Sequence, residues 1–477
     1  MTKASDNAAT KGLQDSDLYR LLPGVNELLL SSAGQLLLAS CPRPRVLAMT
    51  RMVLAGLRRE IASGRHTSQS VQEAVDTIAD RIASKLASPR NYSLRPVINA
   101  TGVILHTNLG RAPLSEGALE HIAEVAQDYC NLELDLETGV RSRRDVHVES
   151  LLLKALDVSN PESYGAVIVN NCAAATFLAL NSLAEKQEVI VSRGELVEIG
   201  GGFRIPEILE KSGALLKEVG TTNRTRLSDY ERALSPATAL LLRVHQSNFS
   251  IEGFTKRPAL AELVSLAKSA GVALFEDQGT GLLISLEPLG FKGEPMLPDS
   301  LAQGVDLVAA SGDKLLGGPQ CGLLVGRTAL IQKIQRNPIL RVLRVDKLTY
   351  AALEATLFDY LQSAPDALPI HRMLAVRPEE LMRRCQQIAA GVRSARLAID
   401  AVPVESLVGG GTAPKATLQS CALSLRHASM SAEELSAALR RLDPPIVARI
   451  TEDAVHLDLR TVPPGIDSEL VSVLNNL

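Results

Sequence analysis

The 477-residue chain contains no tryptophan, and aromatic residues make up only 3% of it. A surface that reads nucleic acid by stacking bases on aromatic rings is therefore not expected. No apolar run approaches the ~20 residues needed to span a bilayer. Met1 to Asp17 is polar and mixed in charge, without the apolar core of a signal peptide. These absences predict a cytoplasmic protein with no membrane partner. The six cysteines, Cys41, Cys130, Cys172, Cys321, Cys385 and Cys421, form no CxxC pair and no Cys/His cluster at zinc spacing. Reduced thiols and no bound metal are expected. A net charge of −3 argues against a protein coated in positive charge for nucleic acid, but it leaves room for a local basic patch.

Hydrophobic residues make up 46% of the chain and charged residues 22%, the balance of a globular protein with at least one large core. Four zones separate along it. Residues 1–17 read as a disordered lead. Residues 18–90 read as a small helical module. In it an apolar stretch, Val25 to Leu38, is closed by Pro42 and Pro44, Arg45–Ala62 is amphipathic, and Ser68 caps a helix carrying Val71, Ala74, Ile78 and Ile82. Asn91 to Pro96 has the texture of a linker. Residues 91–347 alternate short β-branched runs with helix-length segments. The runs are Ala166–Val169, Glu188–Val191, Ala239–Val244, Val272–Phe275, Val305–Ala309 and Gly322–Val325. Such alternation predicts an α/β domain with a mostly parallel sheet, which binds ligands at the carboxyl ends of its strands. Residues 348–477 read as a linking helix, Leu348 to about Tyr360, and a small α+β domain.

Three motifs lie at strand ends of the large domain. Ser311-Gly312-Asp313-Lys314-Leu315-Leu316-Gly317-Gly318-Pro319-Gln320-Cys321-Gly322 joins two apolar strands. A lysine there is costly unless it is paired or used covalently. A partly desolvated amine has a lowered pKa and forms Schiff bases. The plain alternative is an exposed loop lysine beside Asp313. Upstream, the hydrophobic run Ala273–Phe275 ends in Glu276-Asp277, then Gln278-Gly279-Thr280-Gly281. An acid in that position can pair with a protonated pyridine nitrogen, although a simple Asp-x-Gly turn has the same pattern. Alternation puts Glu276 and Asp277 on opposite faces, so only one of them faces a ligand. Further upstream, Asn171-Cys172-Ala173 opens a helix after the strand Val167–Val169, leaving backbone N–H groups for an anion. An ordinary Asn N-cap would look alike. The order anion loop, acidic strand end and lysine loop matches the fold-type I pyridoxal phosphate enzymes.

Read with Val97 to Ala112, Arg193 to Gly201, Val244-His245-Gln246-Ser247-Asn248-Phe249 and Leu343 to Thr349, the motifs resemble the bacterial selenocysteine synthases, the L-seryl-tRNA(Sec) selenium transferases. The resemblance runs from about Leu21 to the C-terminus and is strongest from Val97 to Ala355. It implies an α/β fold of pyridoxal phosphate fold-type I, a small α+β C-terminal domain and an N-terminal helical module that grips tRNA. It implies pyridoxal 5'-phosphate held on Lys314 with Asp313 beside it. Asp277, Asn171, Cys172, Ala173 and His245 would contact that cofactor. Arg111, Arg341 and Arg344 match the arginines of a selenophosphate site. A guanidinium fork suits a tetrahedral oxyanion, and three-residue spacing puts Arg341 and Arg344 on one face if they are helical. The implied reaction is β-elimination from seryl-tRNA(Sec) to an aminoacryloyl intermediate, followed by selenium addition from selenophosphate. The implied assembly is a homo-oligomeric ring of dimers, a homodecamer among its forms.

The tRNA reading has a physical basis in Arg43, Arg45, Arg51, Arg58 and Arg59. With Arg65 they face a single acid, Glu60, between Cys41 and Arg65. Phosphate contacts of this kind give affinity without sequence information. His106, like His245, is an imidazole near a strand-end motif, while His147 reads as part of a surface helix turn, with a place in the same pocket as the alternative. Departures from the family pattern are Cys172 and Cys321, where small residues are usual, and Gln278 and Thr280 in a loop usually rich in Gly and Ser. Two other readings stay open on sequence: a related lyase acting on a small free amino acid or amino sugar acid, and a non-catalytic nucleic-acid-binding protein.

Overall fold

The computed structural model describes residues 15–62, 67–87, 92–199, 201–291, 293–362, 364–414 and 416–477. The expected lead up to residue 14, Arg65 of the basic window, residues 88–90 at the end of the expected helical module and Asn91 at the start of the expected linker lie outside the described residues. The chain divides between Arg95 and Pro96 into two compact units.

The regular elements among the described residues of the first unit are all helices: Asp15–Arg20, Val25–Leu30, Ser32–Ser40, Arg43–Ala62, Ser68–Asp76 and Ile78–Ala87. The apolar stretch read as continuous from Val25 to Leu38 breaks at Ser31. Its hydroxyl accepts the Gly34 N–H at 3.1 Å and starts a new helix. Pro44 does not close a helix. It sits in the first turn of Arg43–Ala62, where a missing N–H costs nothing. Thr67, not Ser68, is the N-cap of the next helix, and the apolar series Val71 to Ile82 spans two helices joined at Thr77. Val46, Leu54, Leu57, Ala74, Ile78, Ile82 and Leu86 fill one core. The helical period then turns Arg43, Arg45, Arg51, Arg58 and Arg59 to the exposed side of the long helix.

In the second unit the strands are β1 (Ile98–Ala100), β2 (Val103–Leu105), β3 (Tyr164–Val169), β4 (Glu188–Ser192), β5 (Glu198–Ile199), β6 (Phe203–Arg204), β7 (Leu215–Val219), β8 (Thr238–Val244), β9 (Ala273–Gly279), β10 (Leu307–Ser311), β11 (Gly322–Arg327), β12 (Leu397–Gly409), β13 (Thr417–His427), β14 (Ile446–Thr451) and β15 (Ala454–Asp458). The large sheet has the order β3-β11-β10-β9-β8-β4-β7. It is parallel except for β11, which runs antiparallel to β3 and to β10. Side chains of successive strand residues alternate between two cores. Ile168, Ile190, Leu241, Leu274 and Val308 pack on one face, with Leu152, Leu263 and Leu353 from covering helices. Val167, Val189, Leu242, Phe275 and Leu324 pack on the other, with Leu178 and Ile334. Burial on both faces explains why these strands read as unbroken apolar runs.

The second sheet has the order β1-β14-β15-β13-β12-β2. β1 pairs in parallel with β14, and β2 pairs in parallel with β12. The segment 98–105, assigned by sequence to the large domain, therefore belongs to the sheet of the C-terminal lobe. Strand β12, thirteen residues long, was not singled out by pattern. The linking helix spans Lys347–Leu361.

Candidate functional site

Lys314 lies in the turn between β10 and β11, 5% exposed despite its charge. Two glycines hold that turn close. A side chain on Gly312 would strike Cys321 Sγ at 2.5 Å and the Pro319 carbonyl at 2.6 Å, and one on Gly281 would strike the Ser311 carbonyl at 2.4 Å. Burial pushes the Lys314 amine below its ordinary value, Arg111 pushes in the same direction, and Cys172, Asp277 and Asp313 oppose both. Asp313, next in sequence, is also buried. Its carboxylate accepts two hydrogen bonds from Arg111 Nη1, at 3.0 and 2.9 Å. Arg111 takes up this post in a left-handed backbone conformation, φ 61°, which is unusual for a non-glycine residue. The His106 carbonyl accepts the Arg111 N–H at 3.1 Å and closes that loop.

Asp277 sits near the carboxyl end of β9, and the pleat puts Glu276 and Asp277 on opposite faces of the sheet. Glu276 shares the face of Leu274, and the nearby Ser300 hydroxyl partly offsets the effect of its burial. Asp277 shares the face of Phe275 and meets the helix Cys172–Ala184. There it accepts the Thr176 hydroxyl at 2.8 Å and lies 3.6 Å from Cys172 Sγ. Burial raises its pKa, and the Thr176 hydrogen bond and the Lys314 charge oppose the rise. Lys314 Nζ and Asp277 Oδ1 stand 3.7 and 3.9 Å from the point that a Cβ on Gly279 would occupy. Sequence reasoning missed Thr176. The available signal was its place one helical turn after Cys172, on the same face.

Asn171 caps the helix, its Oδ1 accepting the Ala174 N–H at 2.8 Å. The N–H groups of Cys172 and Ala173 fall in the first turn, which has no intrahelical acceptors to offer them. Gly322 backs this cradle closely, since a Cβ there would lie 2.1 Å from the Asn171 carbonyl oxygen. His245 follows β8, and its N–H donates to the Asp277 carbonyl at 2.9 Å. Burial lowers its imidazole to about 4, with Arg257 and Lys314 adding to the effect. The ring is therefore neutral near pH 7. Its Nδ1, His106 Nδ1, Ser247 Oγ and Thr280 Oγ1 are all buried without a hydrogen-bond partner among the described residues. Buried polar atoms of this kind mark a place for a polar ligand.

Two predicted arginines lie elsewhere. The helix Ile339–Leu343 ends before Arg344, which is extended at ψ 145° and bridges Val169 through its backbone. Arg341 and Arg344 therefore do not share a helix face. Arg344 reaches Glu133 at 3.1 Å, and Arg144 reaches the same carboxylate at 2.8 Å. Arg341 is exposed and lines a cavity with Glu133, Arg144 and Arg344. Neither Lys314, Asp277 nor Arg111 borders that cavity. His147 Nε2 lies 3.3 Å from the Leu132 carbonyl, an ordinary structural contact.

Residues 97–463 match the sequence profile described as L-seryl-tRNA selenium transferase. The chain belongs to that family. It is 45% identical to the L-seryl-tRNA(Sec) selenium transferase of Moorella thermoacetica over 470 residues, 97% of each chain. It is 44% identical to the enzyme of that name from Aquifex aeolicus over 423 residues, 88% of this chain and 91% of the relative. Among solved structures, that of D-glucosaminate-6-phosphate ammonia-lyase aligns with a TM-score of 0.55 at 20% identity, covering 82% of this chain and 98% of the other. At that identity the likeness speaks to fold alone. No single helix among the described residues is long and apolar enough to cross a membrane. No cluster of three or more His, Cys, Asp or Glu among them could hold a metal ion.

Proposed function

We propose that this member of the selenium transferase family converts L-seryl-tRNA(Sec) to L-selenocysteinyl-tRNA(Sec), with pyridoxal 5'-phosphate as its resident cofactor and selenophosphate as the selenium donor. The observation that carries the reading is the meeting of a buried amine, Lys314, and a buried acid, Asp277, beside one glycine and next to a helix N-terminus. The residues fit the cofactor. Lys314 is the covalent anchor, Asp277 the partner for the pyridine nitrogen, and the Cys172 and Ala173 N–H groups with the Asn171 cap the cradle for the phosphate. His106, His245, Ser247 and Thr280 each keep a buried polar atom without a hydrogen-bond partner among the described residues. When bound, pyridoxal phosphate supplies the electron sink that makes the Cα–H of an attached amino acid acidic.

The protein groups do the rest. Lys314, its amine held down by burial, has a larger basic fraction at neutral pH than an exposed lysine, so it is suited to take the Cα proton. Asp277 stays in place through Thr176. The neutral ring of His245 can pack on a flat ligand without adding positive charge. Arg111, oriented by Asp313, binds the tetrahedral donor, and Arg341 and Arg344 contribute once Arg344 leaves or shares Glu133. The exposed arginines Arg43, Arg45, Arg51, Arg58 and Arg59 grip the tRNA backbone. We place the enzyme in the cytoplasm, as a homo-oligomer built from dimers.

The test is substrate choice. Purified protein loaded with pyridoxal phosphate is given seryl-tRNA(Sec), free serine or a phosphorylated amino sugar acid, each with selenophosphate. Turnover on the tRNA-bound serine alone is expected. Turnover on a free substrate with none on the aminoacyl-tRNA would replace the reading with a lyase.

A further inference from the structure

We propose that the Glu294 carboxyl is the proton donor to the departing β-hydroxyl of the seryl group, an assignment that rests on the function proposed above. Glu294 lies just before the helix Leu297–Gln303 and lines a cavity of about 640 Å³ together with His245, Glu195, Arg257 and Phe291. Lys314 and Asp277 do not line this cavity, and His245 is the residue that links it to them. His245, on its wall, is held to Asp277 through its backbone N–H, and the charge on Lys314 acts on both His245 and Glu294.

One Glu294 oxygen, Oε1, is shut off from solvent with no hydrogen-bond partner among the described residues. The Ala413 backbone, also on the cavity wall, favours the charged carboxylate. The other acid on the cavity wall, Glu195, is fully engaged. It takes Arg243 and Arg257 at 3.2 Å each, and its second oxygen accepts the Val244 N–H at 3.2 Å. Glu294 is thus the acid on that wall with an oxygen to spare.

The chemistry needs such a group, because hydroxide is a poor leaving group and water a good one. The Cα proton passes to Lys314 Nζ. The electron pair left at Cα forms the Cα–Cβ double bond as the Cβ–O bond breaks with its own pair on oxygen, and the Glu294 proton joins that oxygen. One water departs, Glu294 is left as a carboxylate, and it regains a proton from solvent through the open cavity. The charged groups around it are Lys314 from the β10–β11 turn, His245 after β8, Lys256 and Arg257 ahead of the helix Leu260–Ala270, Glu195 after β4 and, across a second cavity, Glu276 on β9 with Glu287 and Asp299. Burial raises Glu294 to about 7, and the Ala413 hydrogen bond and the Lys314 charge oppose the rise. Near neutral pH the acid and its conjugate base are both present, which favours proton transfer in each direction.

Glu294→Gln holoenzyme tests this with two substrates, seryl-tRNA(Sec) and β-chloroalanyl-tRNA(Sec), whose chloride leaves without a proton. Turnover of the seryl substrate is expected to fall by about 10²-fold or more, while the chloro substrate stays near the wild-type rate. Glu294→Asp, which keeps the acid, is expected to recover part of the seryl rate. An infrared difference spectrum of the wild-type holoenzyme should show a protonated carboxyl band that titrates near pH 7 and is missing from Glu294→Gln. An equal loss on both substrates overturns the proposal in favour of a structural role. So does an unchanged seryl rate, or an infrared band that survives the substitution. A wild-type protein inactive on both aminoacyl-tRNAs overturns the parent reading, and this one with it.

Discussion

Replacing Gly322 with alanine is expected to disable cofactor binding without touching any group that does chemistry. Gly322 opens β11 and sits opposite Val169 in the register with β3. A Cβ there would lie 2.1 Å from the Asn171 carbonyl oxygen, 2.5 Å from its carbon and 2.9 Å from the Cys172 nitrogen. All three are backbone atoms, so no rotamer change relieves the contact. Carbon–oxygen contacts settle at about 3.3 Å or more, which forces the N-cap of the helix to retreat by about 1 Å. Overpacking of this kind costs roughly 1–3 kcal/mol. If that falls on the bound state, it weakens cofactor affinity by about 5- to 150-fold. A displacement of this size also costs about 10²-fold in turnover. Titration with pyridoxal phosphate, followed by its absorbance, gives the affinity, and steady-state kinetics at saturating cofactor gives the second effect. Gly117→Ala is the control, since that glycine is helical with nothing within 4 Å of its Cβ position. It should leave both quantities unchanged. Wild-type affinity and turnover in Gly322→Ala would refute the view that backbone contact with β11 fixes the cradle.

Arg111→Ala should lower unfolding stability by about 2–3 kcal/mol, because it strands the buried Asp313 carboxylate, with some relief from solvent at the half-exposed arginine. Arg111→Lys keeps the charge, and because both contacts to Asp313 come from one nitrogen it should recover part of the loss; urea denaturation of the three proteins decides the point. His245 titrates near 4 in the folded chain, against an ordinary 6.5. The unfolded chain therefore binds more protons between those values. The resulting stability is complete above pH 6.5 and is lost as the pH falls to 4. Relative to His245→Gln, the wild type should lose up to about 3 kcal/mol across that window, and parallel pH curves for the two proteins would count against the assigned burial. Converting Arg51, Arg58 and Arg59 together to alanine should reduce the slope of log affinity for tRNA against log salt by about 2–3. An unchanged slope would remove these arginines from the tRNA contact.

The site was legible where chemistry and period coincide. Lys314 stands out because a cation between buried strands needs a reason, whereas alternation put Glu276 and Asp277 on opposite faces without saying which one meets the helix Cys172–Ala184. Contacts between segments distant in sequence were not legible. Strands β1 and β2 are three residues each and pair with β14 and β12, hundreds of residues away, so nothing local marks them as part of the C-terminal lobe. Arg344 looked helical by spacing, but its backbone is claimed by a bridge to Val169. The break at Ser31 was hidden because leucines on both sides keep the stretch apolar. Thr176 and Glu294 gain their meaning only from what faces them, Asp277 in one case and a shared cavity in the other.

The most direct measurement is a single-turnover reaction of purified holoenzyme with seryl-tRNA(Sec) and radiolabelled selenophosphate, run beside Lys314→Ala. Selenium is expected to become bound to the aminoacyl-tRNA in the wild type and to be absent from the variant, which should also lack the cofactor absorbance near ~420 nm. A wild-type protein that carries its cofactor yet leaves the tRNA free of selenium, or a Lys314→Ala protein that still transfers it, would contradict the assignment.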